Sequence, residues 1–194
     1  MSGYSHGGLK VIPNSSFFIC FLDDIRMPYF LRRIVTHNPF TFVLCKKVKE
    51  EVAAKAESKA SFFNELNNYF EYSDFSSYSE VLRPFFAEKE LTKGEHEVII
   101  AAYIYHYLYD QDYVVIIDEE GPRKFLQKNF PELFANAIGT VGFIGQCCIS
   151  YNILTKDEAL GLLDAIENSK FRVSDDILKK VRKEIVTGER GCPA

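Results

Sequence analysis

Two short polar segments carry the residue types best able to do chemistry. Asn14-Ser15-Ser16 closes the strand-like run Leu9-Lys10-Val11-Ile12-Pro13, and Asp118-Glu119-Glu120 closes Tyr113-Val114-Val115-Ile116-Ile117. In an open α/β sheet, ligands sit beyond the carboxyl ends of the strands, so both segments belong to one edge of such a sheet. Glu51 and Glu95 fall near the starts of helices that would pack beside those strand ends. Carboxylates converging there repel one another unless a hard divalent cation neutralises them, and oxygen donors of this kind suit Mg²⁺ or Mn²⁺. Bound against a phosphate, such an ion activates water and stabilises the leaving oxygen.

No competing constellation is as coherent. The chain has no G-x-S-x-G nucleophile elbow and no P-loop, and Gly139, Gly142 and Gly145 have the wrong spacing for a dinucleotide fingerprint. His6, His37, His96 and His106 show no metal-ligand pattern. The five cysteines, Cys20, Cys45, Cys147, Cys148 and Cys192, have no C-x-x-C spacing, and four of them sit in apolar runs. Zinc and a disulfide framework are therefore not expected, and a reducing, cytoplasmic setting is.

The elements that must position these residues alternate. A strand at Leu9–Ile12 and a helix opened by Pro28 precede a strand at Phe40–Cys45 and a charged helix from about Lys46 to Lys59. Thr92-Lys93-Gly94-Glu95 has capping-box spacing, and the helix to about Tyr109 is apolar on nearly every side, which predicts burial against a sheet. Tyr113–Ile117 is the clearest strand, wholly apolar as in a parallel sheet covered on both faces. A helix from Pro122, a short strand near Ala135–Ile138 and a helix from Gly139-Thr140 follow. Two well-signalled helices end the chain, the first capped at Thr155 and Glu158 and the second at Ser174. The expectation is an α/β fold with a largely parallel central sheet flanked by helices and a helical C-terminal extension. It comprises a flexible 1–8, a domain at 9–150, a helical pair at 151–186 and a flexible 187–194. Within it, residues 60–90 read as an aromatic-rich helical insertion, either packed on the core or presented as a partner-binding or dimerising surface.

A chain of 194 residues with 47% hydrophobic and 26% charged positions fits one compact domain, and no segment is long enough for a membrane span. The net charge of −4 conceals an uneven distribution. Residues 1–49 carry 7 basic against 2 acidic side chains, residues 50–120 carry 5 against 16, and residues 121–194 carry 11 against 9. Part of the acidic block thus has a place beside a divalent ion. Arg32, Arg33, Lys46, Lys47, Arg123 and Lys124 are available for phosphates.

In order and spacing, several motifs resemble those of PIN domains: Val11-Ile12-Pro13-Asn14-Ser15-Ser16, Val48-Lys49-Glu50-Glu51-Val52, the stretch Leu91 to Ile99, and Val114 to Glu119 followed by Arg123-Lys124. The toxin-type PIN-like branch is similar also in the Gly139-Thr140-Val141-Gly142 turn and the C-terminal helix pair. This resemblance, over roughly residues 9–185, implies a PIN-like three-layer fold and a Mg²⁺- or Mn²⁺-dependent endoribonuclease of toxin-antitoxin or defence type. By the same resemblance Glu51, Glu95 and Asp118 hold the metal, Glu119 is an additional ligand, and Ser16 and Thr140 are hydroxyl partners. The implied partners are RNA, a protein antitoxin or another protein docking at residues 62–86, and a second copy in a homodimer.

Asn14 departs from the pattern, standing where the family usually has its first aspartate. An amide offers a neutral carbonyl but neither a full charge nor a proton acceptor. The alternative is therefore a degenerate, non-catalytic PIN-like protein that binds protein or RNA. Simpler roles remain open residue by residue: a cap for Glu95, a solvated face for Glu51, a turn or cap for Asp118 and Asn14, and an N-cap for Thr140.

Overall fold

The computed structural model describes residues 8–55, 57–75, 78 and 93–188. Its centre is a sheet of five parallel strands, β1 (Lys10–Pro13), β2 (Thr41–Cys45), β3 (Phe70–Ser73), β4 (Tyr113–Ile116) and β5 (Ala137–Ile138), in the order β3-β2-β1-β4-β5. The chain moves outward from β1 to β3, then returns to the other side of β1. Strand order therefore reverses between β1 and β4, and a crevice opens beyond their carboxyl ends. The apolar runs dictate this centre: every residue of β4 is buried, as are Val11 and Ile12 in β1. Among the described residues, the short strands β3 and β5 form the two edges.

Helices flank the sheet. A short α1 (Ser15–Ile19) runs into a π-helical turn at Cys20–Asp24, and α2 (Pro28–Val35) starts with proline at its first position, where the missing N–H is harmless. Phe17 on α1 stacks on Phe42 of β2, and Phe18 meets Phe63 edge to face with ring centres 5.1 Å apart. The single helix expected from Lys46 to Lys59 is instead two, α3 (Lys46–Ala53) and α4 (Glu57–Glu65). An unbroken helix would carry Phe63 about 26 Å from Lys46 along its axis, at 1.5 Å per residue. The break lets Phe62 and Phe63 turn back into the core.

The aromatic segment is likewise not simply helical. It supplies α4 and then the edge strand β3, with Phe62, Phe63, Phe70 and Phe75 buried and Tyr69, Tyr72 and Tyr78 exposed. Phe85, Phe86 and Thr92 lie outside the described residues. α5 (Lys93–Tyr103) packs on β1, β2 and β4 and loosens into a π-helical turn at Ile104–Leu108. Val98 to Ala102 are buried as expected, but Leu108 is exposed.

After β4 come α6 (Glu120–Asn129), which begins two residues before Pro122, and α7 (Pro131–Phe134). α8 (Thr140–Ile149) starts after β5, and α9 (Lys156–Glu167) and α10 (Asp175–Thr187) pack against it. The Thr155 and Glu158 capping box forms with both bonds present. Ser174 caps α10, whose buried stripe is Leu178, Val181 and Ile185, with Ile177 left exposed. Arg33 ties this pair to α2: its Nε donates to the Ile153 carbonyl at 3.0 Å, and its two terminal nitrogens donate to Glu158 at 2.7 and 2.6 Å. None of the described helices is long and apolar enough to cross a membrane.

Candidate functional site

The reversal point brings Asn14, Ser16, Asp118, Glu119 and Thr140 together. Asn14, buried at the end of β1, is engaged three ways. Its N–H donates to the Ile116 carbonyl at 3.0 Å, its Oδ1 accepts the Phe17 N–H at 3.2 Å as the N-cap of α1, and its Nδ2 donates to Glu119. Because Oδ1 is fixed by the cap, the amide nitrogen is the atom that faces Glu119. An aspartate here could cap the helix equally well but would have no hydrogen to give the carboxylate. Ser16 Oγ donates to the other oxygen of Glu119. Two neutral donors thus hold a carboxylate between α1 and the end of β4.

Asp118 is held separately. Its Oδ1 accepts the Thr140 N–H and its Oδ2 accepts the Thr140 hydroxyl, both at 2.7 Å. Thr140 is therefore not the N-cap expected of it: Gly139 occupies that position, and Thr140 begins the helix with both donors turned to Asp118. A Cβ on Gly139 would lie 3.1 Å from Asp118 Oδ1, so this approach favours a glycine. Burial pushes the Asp118 carboxyl up to about 6; the Thr140 bonds pull the other way, Glu119 adds to the rise, and Arg123 opposes it. The same carboxylate, with Asp24, helps burial to push the Cys20 thiol up.

Glu51 and Glu95 are placed by α3 and α5. Glu51 Oε1 accepts the Gly94 N–H at 3.0 Å in the first turn of α5, so it is half-buried and tied to that helix. A Cβ at position 94 would come within 2.5 Å of Glu51 Oε2, which explains the glycine. The exchange is mutual, because Glu97 of α5 accepts the Lys47 N–H at 2.6 Å in the first turn of α3. Each helix start, with its unpaired N–H groups and positive dipole end, receives a carboxylate from the other. Burial pushes the Glu97 carboxyl up. Nothing in the residue pattern singles out Glu97, since an acid two residues beyond Glu95 reads as part of a solvated helix start. Glu95 itself is buried in the first turn of α5.

These donors do not fit the expected Mg²⁺ or Mn²⁺ centre. Among the described residues, no group of three or more His, Cys, Asp or Glu side chains is placed to hold a metal ion. Glu51, Asp118 and Glu119 each answer to a different set of protein donors: the Gly94 amide, Thr140, and Asn14 with Ser16. The cations expected to be available for phosphates are also engaged within the chain. Arg32 pairs with Glu65, Arg33 with Glu158, Lys46 with Asp74, Lys47 with Glu50 and Lys124 with Glu120, at 2.5 to 3.1 Å. Arg123 donates to the Ile117 carbonyl at 3.2 Å and lies over the Phe134 ring.

No family model, curated protein or solved structure matches the chain.

Proposed function

We propose that the chain is a PIN-like domain in which hydrogen bonds within the crevice stand in place of a metal centre, and that it serves as a protein-binding module. The carrying observation is Glu119, whose two oxygens are taken by Asn14 Nδ2 and Ser16 Oγ. A carboxylate held by two neutral donors needs no cation to keep it in place. A protein partner is favoured over RNA because the α4 to β3 edge exposes Tyr69 and Tyr72. Tyrosine is enriched at protein interfaces, and Tyr72 carries the Lys49 ammonium 4.8 Å over its ring.

One observation favours a second reading, the toxin-type endoribonuclease. Asp118, at the strand reversal, has a carboxyl pushed up to about 6, and strongly shifted acids gather at active sites. The deciding experiment is RNA cleavage with Mn²⁺ by the wild type, Asp118→Asn and Asn14→Asp, with calorimetric titration of Mn²⁺ into each. The binding-module reading expects an inert wild type that takes up no Mn²⁺, with any gain confined to Asn14→Asp. Metal-dependent cleavage by the wild type, abolished in Asp118→Asn, would establish the nuclease instead.

A further inference from the structure

We infer that the groove at the amino-terminal ends of β1, β4 and β5, opposite the crevice, binds an alkylammonium group. It is independent of the proposed function and shares no residue with the crevice. The groove has a volume of about 480 Å³ and is lined by His106, Asp110, Gln111, Asp112, Tyr113 and Asn136 among others. That size is within the range of small-ligand sites. Its lining includes two carboxylates and no lysine or arginine.

A second, independent observation concerns Tyr113. The residue is 6% exposed, and its hydroxyl is buried without a hydrogen-bond partner. The Asn136 side chain is near enough to influence the phenol but makes no hydrogen bond of normal geometry to it. Leaving a buried hydroxyl unpaired is costly, and a hydroxyl beside an open groove is a place for a ligand donor. Asn136 is itself exposed and lines the groove with Tyr113.

The backbone leading into the groove is irregular in the way functional sites often are. α5 loosens into its π-helical turn at Ile104–Leu108, which sets His106 edge-on to Tyr113 with ring centres 5.9 Å apart. Asp110 then adopts a left-handed φ of 48°. Backbone bonds fix the two ends of the acidic loop: Gln111 N donates to the Tyr105 carbonyl at 3.1 Å, and Lys10 N to the Asp112 carbonyl at 3.0 Å.

These groups match an ammonium on an aliphatic stem. Its three N–H donors suit the Asp110 and Asp112 carboxylates and the Tyr113 oxygen, and the His106 and Tyr113 rings offer apolar and π surface to the stem. A metal ion is the poorer fit, since the described residues hold no group of three metal-ligating side chains here or elsewhere. The ammonium has two natural sources, a free polyamine or the lysine side chain of another protein.

Calorimetric titration at low salt with putrescine, and separately with Nα-acetyl-lysine methylamide, tests the site. Saturable binding at sub-millimolar ligand is expected, weakened about tenfold in Asp112→Asn and several-fold in Tyr113→Phe. The thermal midpoint of Tyr113→Phe should be unchanged or higher, because the hydroxyl makes no bond in the free protein. Asp175→Asn, an exposed carboxylate in the first turn of α10, should bind as the wild type does. Putrescine binding alone supports the site and assigns it to free polyamines; comparable binding of both supports it and assigns it to lysine. Failure of both ligands to bind, or wild-type affinity in Asp112→Asn and Tyr113→Phe, overturns the inference.

Discussion

Replacing Asp118 by asparagine should make the metal-free protein more stable at neutral pH. The carboxyl is pushed from an ordinary value of 3.8 up to about 6 in the folded chain. The folded state therefore binds this proton more tightly than the unfolded state does, and the benefit is complete below about 3.8 and lost as pH rises through about 6. At pH 7 the full linkage is about 3 kcal/mol of destabilisation, at 1.36 kcal/mol per pKa unit. Partial solvent contact reduces this, and about 1–2 kcal/mol is a fair expectation. Asparagine keeps the shape and the bonds: its Oδ1 still accepts the Thr140 N–H, and its Nδ2 can donate to the threonine hydroxyl, which turns to accept. For a chain of this length the gain corresponds to a rise in thermal midpoint of about 2–8 °C. Thermal unfolding of both proteins in EDTA at pH 7 and at pH 4 measures it, with the difference expected to vanish at the lower pH. A variant less stable than the wild type at pH 7, or an advantage that persists at pH 4, would refute the argument that burial of charge dominates at this position.

Gly94→Ala should lower stability by no more than about 1 kcal/mol in chemical denaturation, because the new Cβ, 2.5 Å from Glu51 Oε2, displaces a flexible carboxylate end from the Gly94 amide while alanine is the better helix former. Combined with Glu51→Ala, the same substitution should cost much less than on its own. Arg33→Ala should lose about 1–2 kcal/mol at pH 7 through the Ile153 carbonyl and the partly exposed Glu158 pair. The Arg33 guanidinium holds the Glu158 carboxyl down at about 2, so the pair's share of stability is present above about 4.5 and lost as pH falls towards 2. Urea titrations at pH 7 and pH 3 should show the gap between the two proteins narrowing in acid.

β1, β2 and β4 were legible because each is a short apolar run bounded by polar residues. Tyr113 to Ile117 announced β4, and Phe40 to Cys45 announced β2, since strands buried on both faces leave a continuous signal. β3 was hidden: Phe70-Glu71-Tyr72-Ser73 alternates on an edge, within a segment whose many aromatic residues mask the period. The division of the helix after Ala53 escaped for a related reason, since local propensity favours continuation and only the distant demand of Phe63 for the core breaks it. Asn14, Asp118, Glu119 and Thr140 were found because strand ends are where an α/β sheet presents side chains. Their partners were not, since whether a carboxylate faces a metal, an amide or a hydroxyl depends on angles set by tertiary packing. Glu51 shows this most plainly. Its spacing placed it on a helix beside the sheet, but the amide of Gly94, 43 positions on, takes its Oε1.

The exchange of carboxylates between α3 and α5 also bears on how the molecule comes apart. Glu51 reaches Gly94 and Glu97 reaches Lys47, so each helix beginning receives a residue of the other. Neither can fray alone without leaving the other's amide exposed, and helix starts are ordinarily where fraying begins. α3 follows β2 and α5 leads to β4, on opposite sides of β1 in the sheet. The two wings of the sheet, each already paired to β1, are thereby tied a second time by two side chains, which favours their opening together.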